Sequence, residues 1–115
     1  MSEGSNPPAK RKTPKRVARL RFELLNAFVD SGMADLSRGE LAVWLTLYRD
    51  TKRDGTARTS LSDIARRGGM DRQTASRAVS RLARRKMLHV LRRGSLNKGP
   101  SEYRIFPFPM EDPDS

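Results

Sequence analysis

The side chains best suited to directional contacts are concentrated in one short stretch: Arg72, Gln73, Ser76, Arg77, Ser80, Arg81 and Arg84. Ala75, Ala78, Val79 and Leu82 are interleaved with them at three- and four-residue intervals. A helix over about 72–85 therefore turns the apolar set inward and the polar set outward. No acidic residue occurs between Arg72 and Arg93. A face kept only for solubility mixes both signs, whereas an all-cationic face suits a polyanion. An arginine fork can bond the O6/N7 edge of guanine, and a glutamine amide can pair with adenine, both in the major groove of double-stranded DNA. Recognition helices read bases with their N-terminal residues. Arg72, Gln73, Ser76 and Arg77 are accordingly expected at base edges, and Arg81 and Arg84 at phosphates.

The elements that would carry this face can be read around it. Asp71 is placed to cap the 72–85 helix. Ser60-Leu61-Ser62-Asp63 has the form of a capping box and opens a shorter helix ending at Gly68-Gly69. Two helices joined by a short glycine-containing turn make a helix-turn-helix. Ser60 and Ser62 sit at a helix N-terminus, where free amides and the helix dipole attract phosphate. Downstream, Met87–Arg92 and Tyr103–Phe106 read as the two strands of a hairpin, joined by a glycine-containing loop over 93–100. That hairpin brings Arg92, Arg93, Asn97 and Lys98 as further phosphate contacts.

Upstream, Ser37 and Glu40 form another capping box, and Leu41, Trp44, Leu45 and Tyr48 follow at helical spacing, predicting a helix over Arg38–Asp50. Thr56–Thr59 favours a brief strand. Val17, Leu20, Leu24, Leu25, Phe28 and Val29 line one face of a helix from Val17 to about Ser31. Trp44, Tyr48 and Phe22 are expected in the core rather than as a base-stacking platform. Residues 1–16 hold three prolines and no large apolar residue, which predicts a disordered basic arm carrying Lys10, Arg11, Lys12, Lys15 and Arg16. Pro107 and Pro109 end regular structure, leaving 107–115 as a short acidic tail. The domain between is expected over 17–106.

With this order of elements, the run Ser60-Leu61-Ser62-Asp63-Ile64-Ala65-Arg66-Arg67-Gly68-Gly69-Met70-Asp71-Arg72-Gln73-Thr74-Ala75-Ser76-Arg77 resembles the bacterial winged helix-turn-helix pattern of transcription regulators and of plasmid or phage replication initiators. The LARRKMLHV segment (82–90), the RRG that follows and Ser101-Glu102-Tyr103-Arg104 are similar to the family's helix exit and wing. The resemblance covers about 20–106 and implies a mainly α fold: three to four helices, a short strand and a two-stranded wing. It implies that Ala65 packs in the first helix, Gly69 makes the turn, and Met70 plugs the core beneath it. Lys86 departs from the pattern, standing where the family usually leaves its helix through a left-handed glycine.

Charge and composition agree. The 115 residues carry 24 Lys+Arg against 13 Asp+Glu, a net +11. Residues 10–21 hold +7 and residues 66–104 hold +10, while 22–65 are at −2 and 105–115 at −3. The length fits one domain. With no cysteine and only His89 as histidine, a zinc site is not expected. No phosphate-binding loop, GxGxxG or supported catalytic triad is present, so neither an enzyme nor a cofactor is expected. No apolar run approaches the ~20 residues of a membrane span, and cytoplasmic, nucleoid-associated residence is the default. The expectation is a sequence-specific DNA-binding regulator of transcription. The alternatives are a plasmid or phage replication-initiation protein, a nonspecific architectural protein, or a winged-helix adapter. A homodimer reading two half-sites is compatible with the sequence.

Overall fold

The structure, a computed structural model, describes the backbone of residues 9–95 and 99–110, with the side chains of Arg16 and of Ala18 onward within those limits. Four helices, α1 (Ala9–Ser31), α2 (Arg38–Asp50), α3 (Leu61–Gly68) and α4 (Arg72–Arg84), accompany three strands, β1 (Ala57–Thr59), β2 (Leu88–Arg92) and β3 (Ser101–Ile105). The sheet is antiparallel in the order β1-β3-β2. A single turn of 3-10 helix, Met33–Asp35, links α1 to α2. The order helix, helix, strand, helix, helix, hairpin is that of a winged helix-turn-helix. Among the described residues no helix is long and apolar enough to cross a membrane.

Local signals set most element boundaries. The Ser37 hydroxyl accepts from the Glu40 amide at 3.2 Å and the Glu40 carboxylate accepts from the Ser37 amide at 3.3 Å, completing the α2 capping box. At α3 only half of the expected box forms. The Ser60 hydroxyl accepts from the Asp63 amide at 3.1 Å, while the Asp63 carboxylate goes to Arg66 and Arg67. A glutamate at that position reaches back to the cap; aspartate is one methylene shorter. The start of α1 also differs. Residues 9–16, expected within a disordered arm, are helical; alanine, lysine and arginine are strong helix formers, while Pro14, in the second turn, removes one intrahelical bond.

The core is built by one face each of α2, α3 and α4 against the sheet, with Trp44, Phe28, Leu47, Ile64, Leu82 and Met87 fully enclosed. Trp44 is its centre. Its ring stacks on Phe28 at 3.6 Å between centroids and 6° between planes, and on Tyr48 at 5.6 Å and 8°. The Trp44 indole N–H donates to the Phe106 carbonyl at 3.0 Å, joining α2 to the chain after β3. Arg21 lies 4.4 Å from the Tyr48 ring centre and donates to the Thr51 carbonyl. Trp44 and Tyr48 thus pack as expected, but Phe22 is 65% exposed. Phe28, six residues further on, takes the place against Trp44. Leu20 and Val29 are exposed as well, since α1 meets the body mainly through Leu24, Leu25 and Phe28.

A long-range ion pair fixes the far end of α4. Glu40, 2% exposed, accepts from Arg85 Nε at 2.9 Å. The residue that caps α2 therefore also holds the exit of α4, 45 residues away. Arg85 itself is the C-cap, and the next residue, Lys86, takes φ +65°. The left-handed exit that the resemblance assigns to glycine is made here by lysine. The chain after β3 then closes over this end, with the Met110 amide donating to the Lys86 carbonyl at 3.0 Å.

Candidate nucleic-acid interface

The face proposed from spacing is formed by α4. Asp71 caps it, its carboxylate accepting from the Thr74 amide at 2.7 Å. That amide, the Thr74 hydroxyl and the nearby charge of Arg77 hold Asp71 below the usual carboxylate range. Ala75, Ala78, Val79 and Leu82 are buried, which turns Arg72, Gln73, Ser76, Arg77, Ser80, Arg81 and Arg84 outward, all exposed. None of the four exposed arginines forms an ion pair among the described residues. Their charge is available to an outside partner.

The turn before α4 sets the angle of this face. Gly69 takes φ +69° and its amide bonds back to α3, a position where a side chain would be strained. The Met70 amide donates to the Ala65 carbonyl at 3.0 Å, and Met70 packs half-buried against the core. In α3 the arginines are used differently. Arg67 donates to both carboxylate oxygens of Asp50 at the end of α2, and Asp50 also accepts from the Thr59 hydroxyl at 2.7 Å. The Arg67 hydrogen bond, above all, holds Asp50 below its ordinary value; burial opposes this, and Thr59 and the charges of Arg67 and Arg49 reinforce it. Arg66 pairs with Asp63.

Between the start of α3, the exposed side of α4 and the hairpin lies a groove of about 570 Å³. Ser60 and Ser62 border it from α3, Arg72, Ser76 and Ser80 from α4, and Arg93 with the Gly94–Ser95 backbone from the hairpin. Hydroxyls and two guanidinium groups on three separate elements converge on one trough. The hairpin is closed tightly beside it. A Cβ on Gly94 would lie 2.2 Å from the Gly99 carbonyl oxygen, so only glycine lets the two sides of the loop approach this closely. The Gly94 amide donates to the Ser101 hydroxyl at 2.8 Å.

No family model matches the sequence, and no curated protein matches it. Among solved structures, the PcaV transcriptional regulator from Streptomyces coelicolor, solved in complex with its natural ligand, is similar to this chain at 20% identity and a TM-score of 0.49. The match covers 89% of this chain and 67% of that one. It assigns no family and no function.

The structure thus brings Ser60, Ser62, Arg72, Ser76 and Arg93 around one groove and carries Gln73, Arg77, Arg81 and Arg84 on the adjoining surface of α4. Arg92 has a different use: it donates to the Pro100 carbonyl at 3.0 Å and lies 3.5 Å from Glu102, bracing the hairpin from within. Asn97, Lys98 and residues 111–115 of the tail lie outside the described residues, as do residues 1–8 and the side chains of Lys10, Arg11, Lys12 and Lys15; Arg16 is exposed. One cation that the sequence reading passed over is Arg58. It is exposed on β1, 3.9 Å from Glu102, and its guanidinium would sit 3.7 Å from a Cβ on Gly99. Its position between the buried Ala57 and Thr59 was the available signal, since strand alternation turns it outward.

Proposed function

We propose that this chain is a sequence-specific double-stranded DNA-binding protein that regulates transcription. The observation that carries the reading is the α4 face, where four exposed arginines have no ion-pair partner among the described residues and adjoin a groove lined by hydroxyls. In the proposed complex the N-terminal half of α4 enters the major groove. There Arg72, Gln73, Ser76 and Arg77 meet base edges, with arginine selecting guanine and glutamine selecting adenine. Arg81 and Arg84 hold phosphates toward the end of the helix. Ser60 and Ser62 present hydroxyls beside the amides of the α3 N-terminus, and Arg93 approaches the backbone from the wing. Lys10, Arg11, Lys12, Lys15 and Arg16 extend the phosphate contacts beyond the domain.

Phosphate contacts supply affinity that falls with salt, while base contacts supply preference. Selection of bound duplexes from a random pool tests the reading directly. A defined motif is expected, and its symmetry gives the number of half-sites read. A pool that stays random after repeated rounds would overturn base readout and leave an architectural or adapter role.

A further inference from the structure

We propose that the chain pairs with a second copy of itself through α1, the two helices running antiparallel. Ala18, Phe22, Leu25 and Val29 follow one another at intervals of four, three and four residues, the spacing of a coiled-coil seam. Phe22 is 65% and Val29 49% exposed, Ala18 is exposed and Leu25 half-buried. The helix is held to the body on the neighbouring side. There Phe28 stacks on Trp44, Leu24 packs against the core, and Arg21 reaches Thr51 and the Tyr48 ring. The seam runs beside this docked face and shares only Leu25 with it. Single exposed apolar residues are ordinary on a protein surface, and Leu20, on the opposite flank of α1, is one of them. Phe22 and Val29 differ in that their spacing of seven returns them to one face of the helix, with Ala18 and Leu25 completing the row.

Charge identifies the occupant. Residues 10–21 carry seven cations and no acid, whereas Glu23 and Asp30 are the only charged residues over 22–31. One helix thus has a strongly cationic half and a weakly acidic half. A parallel pair would lay the seven cations of one copy against those of the other. An antiparallel pair sets each cationic half beside the acidic half of its mate, and flanking charges choose orientation in this way in helix pairs. Glu23 meets Arg19 of its own helix at 3.6 Å, while Asp30 forms no ion pair among the described residues.

The seam is also complementary to itself in size. With a two-fold axis between Phe22 and Leu25, Phe22 of each copy meets Leu25 of the other, and Val29 meets Ala18. Each larger side chain faces a smaller one. In the same register Asp30 falls between Arg16 and Arg19 of the other copy. Such an interface closes at two copies. Three turns of paired helix bury little surface, so the dimer should dissociate on dilution and more readily in high salt. The pairing rests on α1 alone. Joined to the function proposed above, on which this one consequence depends, the axis relates two α4 faces and the selected duplex is an inverted repeat.

The test is sedimentation velocity of the full chain over a dilution series, together with cross-linking of cysteine variants, which a chain without native cysteine makes unambiguous. A monomer–dimer equilibrium is expected. Phe22→Glu, at an exposed position, should leave the melting temperature of the dilute protein unchanged and weaken dimerisation at least ~10-fold. Asp30→Arg should weaken it less, and a mixture of Asp30→Arg with Arg19→Asp copies should form the mixed dimer in preference to either alone. Under mild oxidation Ala18→Cys should cross-link to Val29→Cys and not to itself. A chain that stays monomeric at every concentration overturns the proposal, whatever else then covers the seam, and so does a dimer that survives Phe22→Glu unchanged. Cross-linking of Ala18→Cys to itself and not to Val29→Cys overturns the antiparallel arrangement. A dimer that binds no duplex sinks the DNA reading alone, and a monomer that binds duplex sinks the pairing alone.

Discussion

Helices α3 and α4 are neighbours of similar composition, yet their arginines have opposite fates. In α3, Arg66 and Arg67 are matched to Asp63 and Asp50, and the pairs hold α3 against the end of α2 and the start of the sheet. In α4, Arg72, Arg77, Arg81 and Arg84 face outward and form no ion pair among the described residues. All six fall within the +10 block. A charge sum therefore marks a region, and only the partners show which cations belong to the fold and which are left for a ligand. The difference implies a double dissociation: changes in α3 should alter stability and leave base preference intact, whereas changes in α4 should do the reverse.

The largest effect is expected at the acid that α3 depends on. Asp50→Ala removes the main acceptor of Arg67 and the acceptor of Thr59, leaving a guanidinium that is 27% exposed with Asp63 alone and a buried hydroxyl without its carboxylate partner. Loss of such a site costs about 2–3 kcal/mol, read as a lower denaturant midpoint. The duplex motif selected by the folded fraction should not change; a changed motif would place Asp50 in recognition and erase the contrast. The same carboxylate sets a pH dependence. Its folded pKa lies below the unfolded value of ~3.9, so its stabilisation is fully present above that value and is lost as pH falls through the folded pKa. Urea midpoints followed from neutral to acid pH should fall less steeply in Asp50→Asn than in the wild type.

On α4, Arg77→Ala should cost about 1–3 kcal/mol in duplex affinity on preferred sites and much less on others, with the melting temperature unchanged. Arg81→Ala should weaken all duplexes alike and reduce the slope of log K against log[salt] by ~0.9. If both variants lose affinity equally on every duplex, the division of α4 into reading and phosphate-holding halves is wrong.

How far the sequence reached depended on the range of the interaction. The caps at Ser37, Ser60 and Asp71 depend on residues three positions away, and the helix faces on three- and four-residue spacing; α2, α3 and α4 were legible for that reason. The α4 face was legible with them, because its inner residues identify its outer ones. Partnerships across the chain were not. Nothing near Glu40 points to Arg85, and nothing near Arg67 points to Asp50 seventeen residues earlier. Phe22 and Phe28 both looked apolar and helical, and only the contact of α1 with Trp44 decides between them. Arg92 and Arg93 were indistinguishable as neighbours, until the hairpin placed one against Pro100 and Glu102 and the other on the groove.

The smallest effect returns to the two helices at their ends. Each exits through a left-handed residue, Gly69 at φ +69° after α3 and Lys86 at φ +65° after α4. Glycine pays no steric penalty there, while lysine bears about 1–2 kcal/mol for its Cβ. Lys86→Gly removes that strain but frees the unfolded chain, which returns roughly 0.5–1 kcal/mol. The net expectation is a gain of about 0.5 kcal/mol in denaturant unfolding, and Gly69→Ala should lose about 1 kcal/mol by the same reasoning. Equal losses at both positions would mean that the Lys86 side chain contributes contacts outweighing its strain.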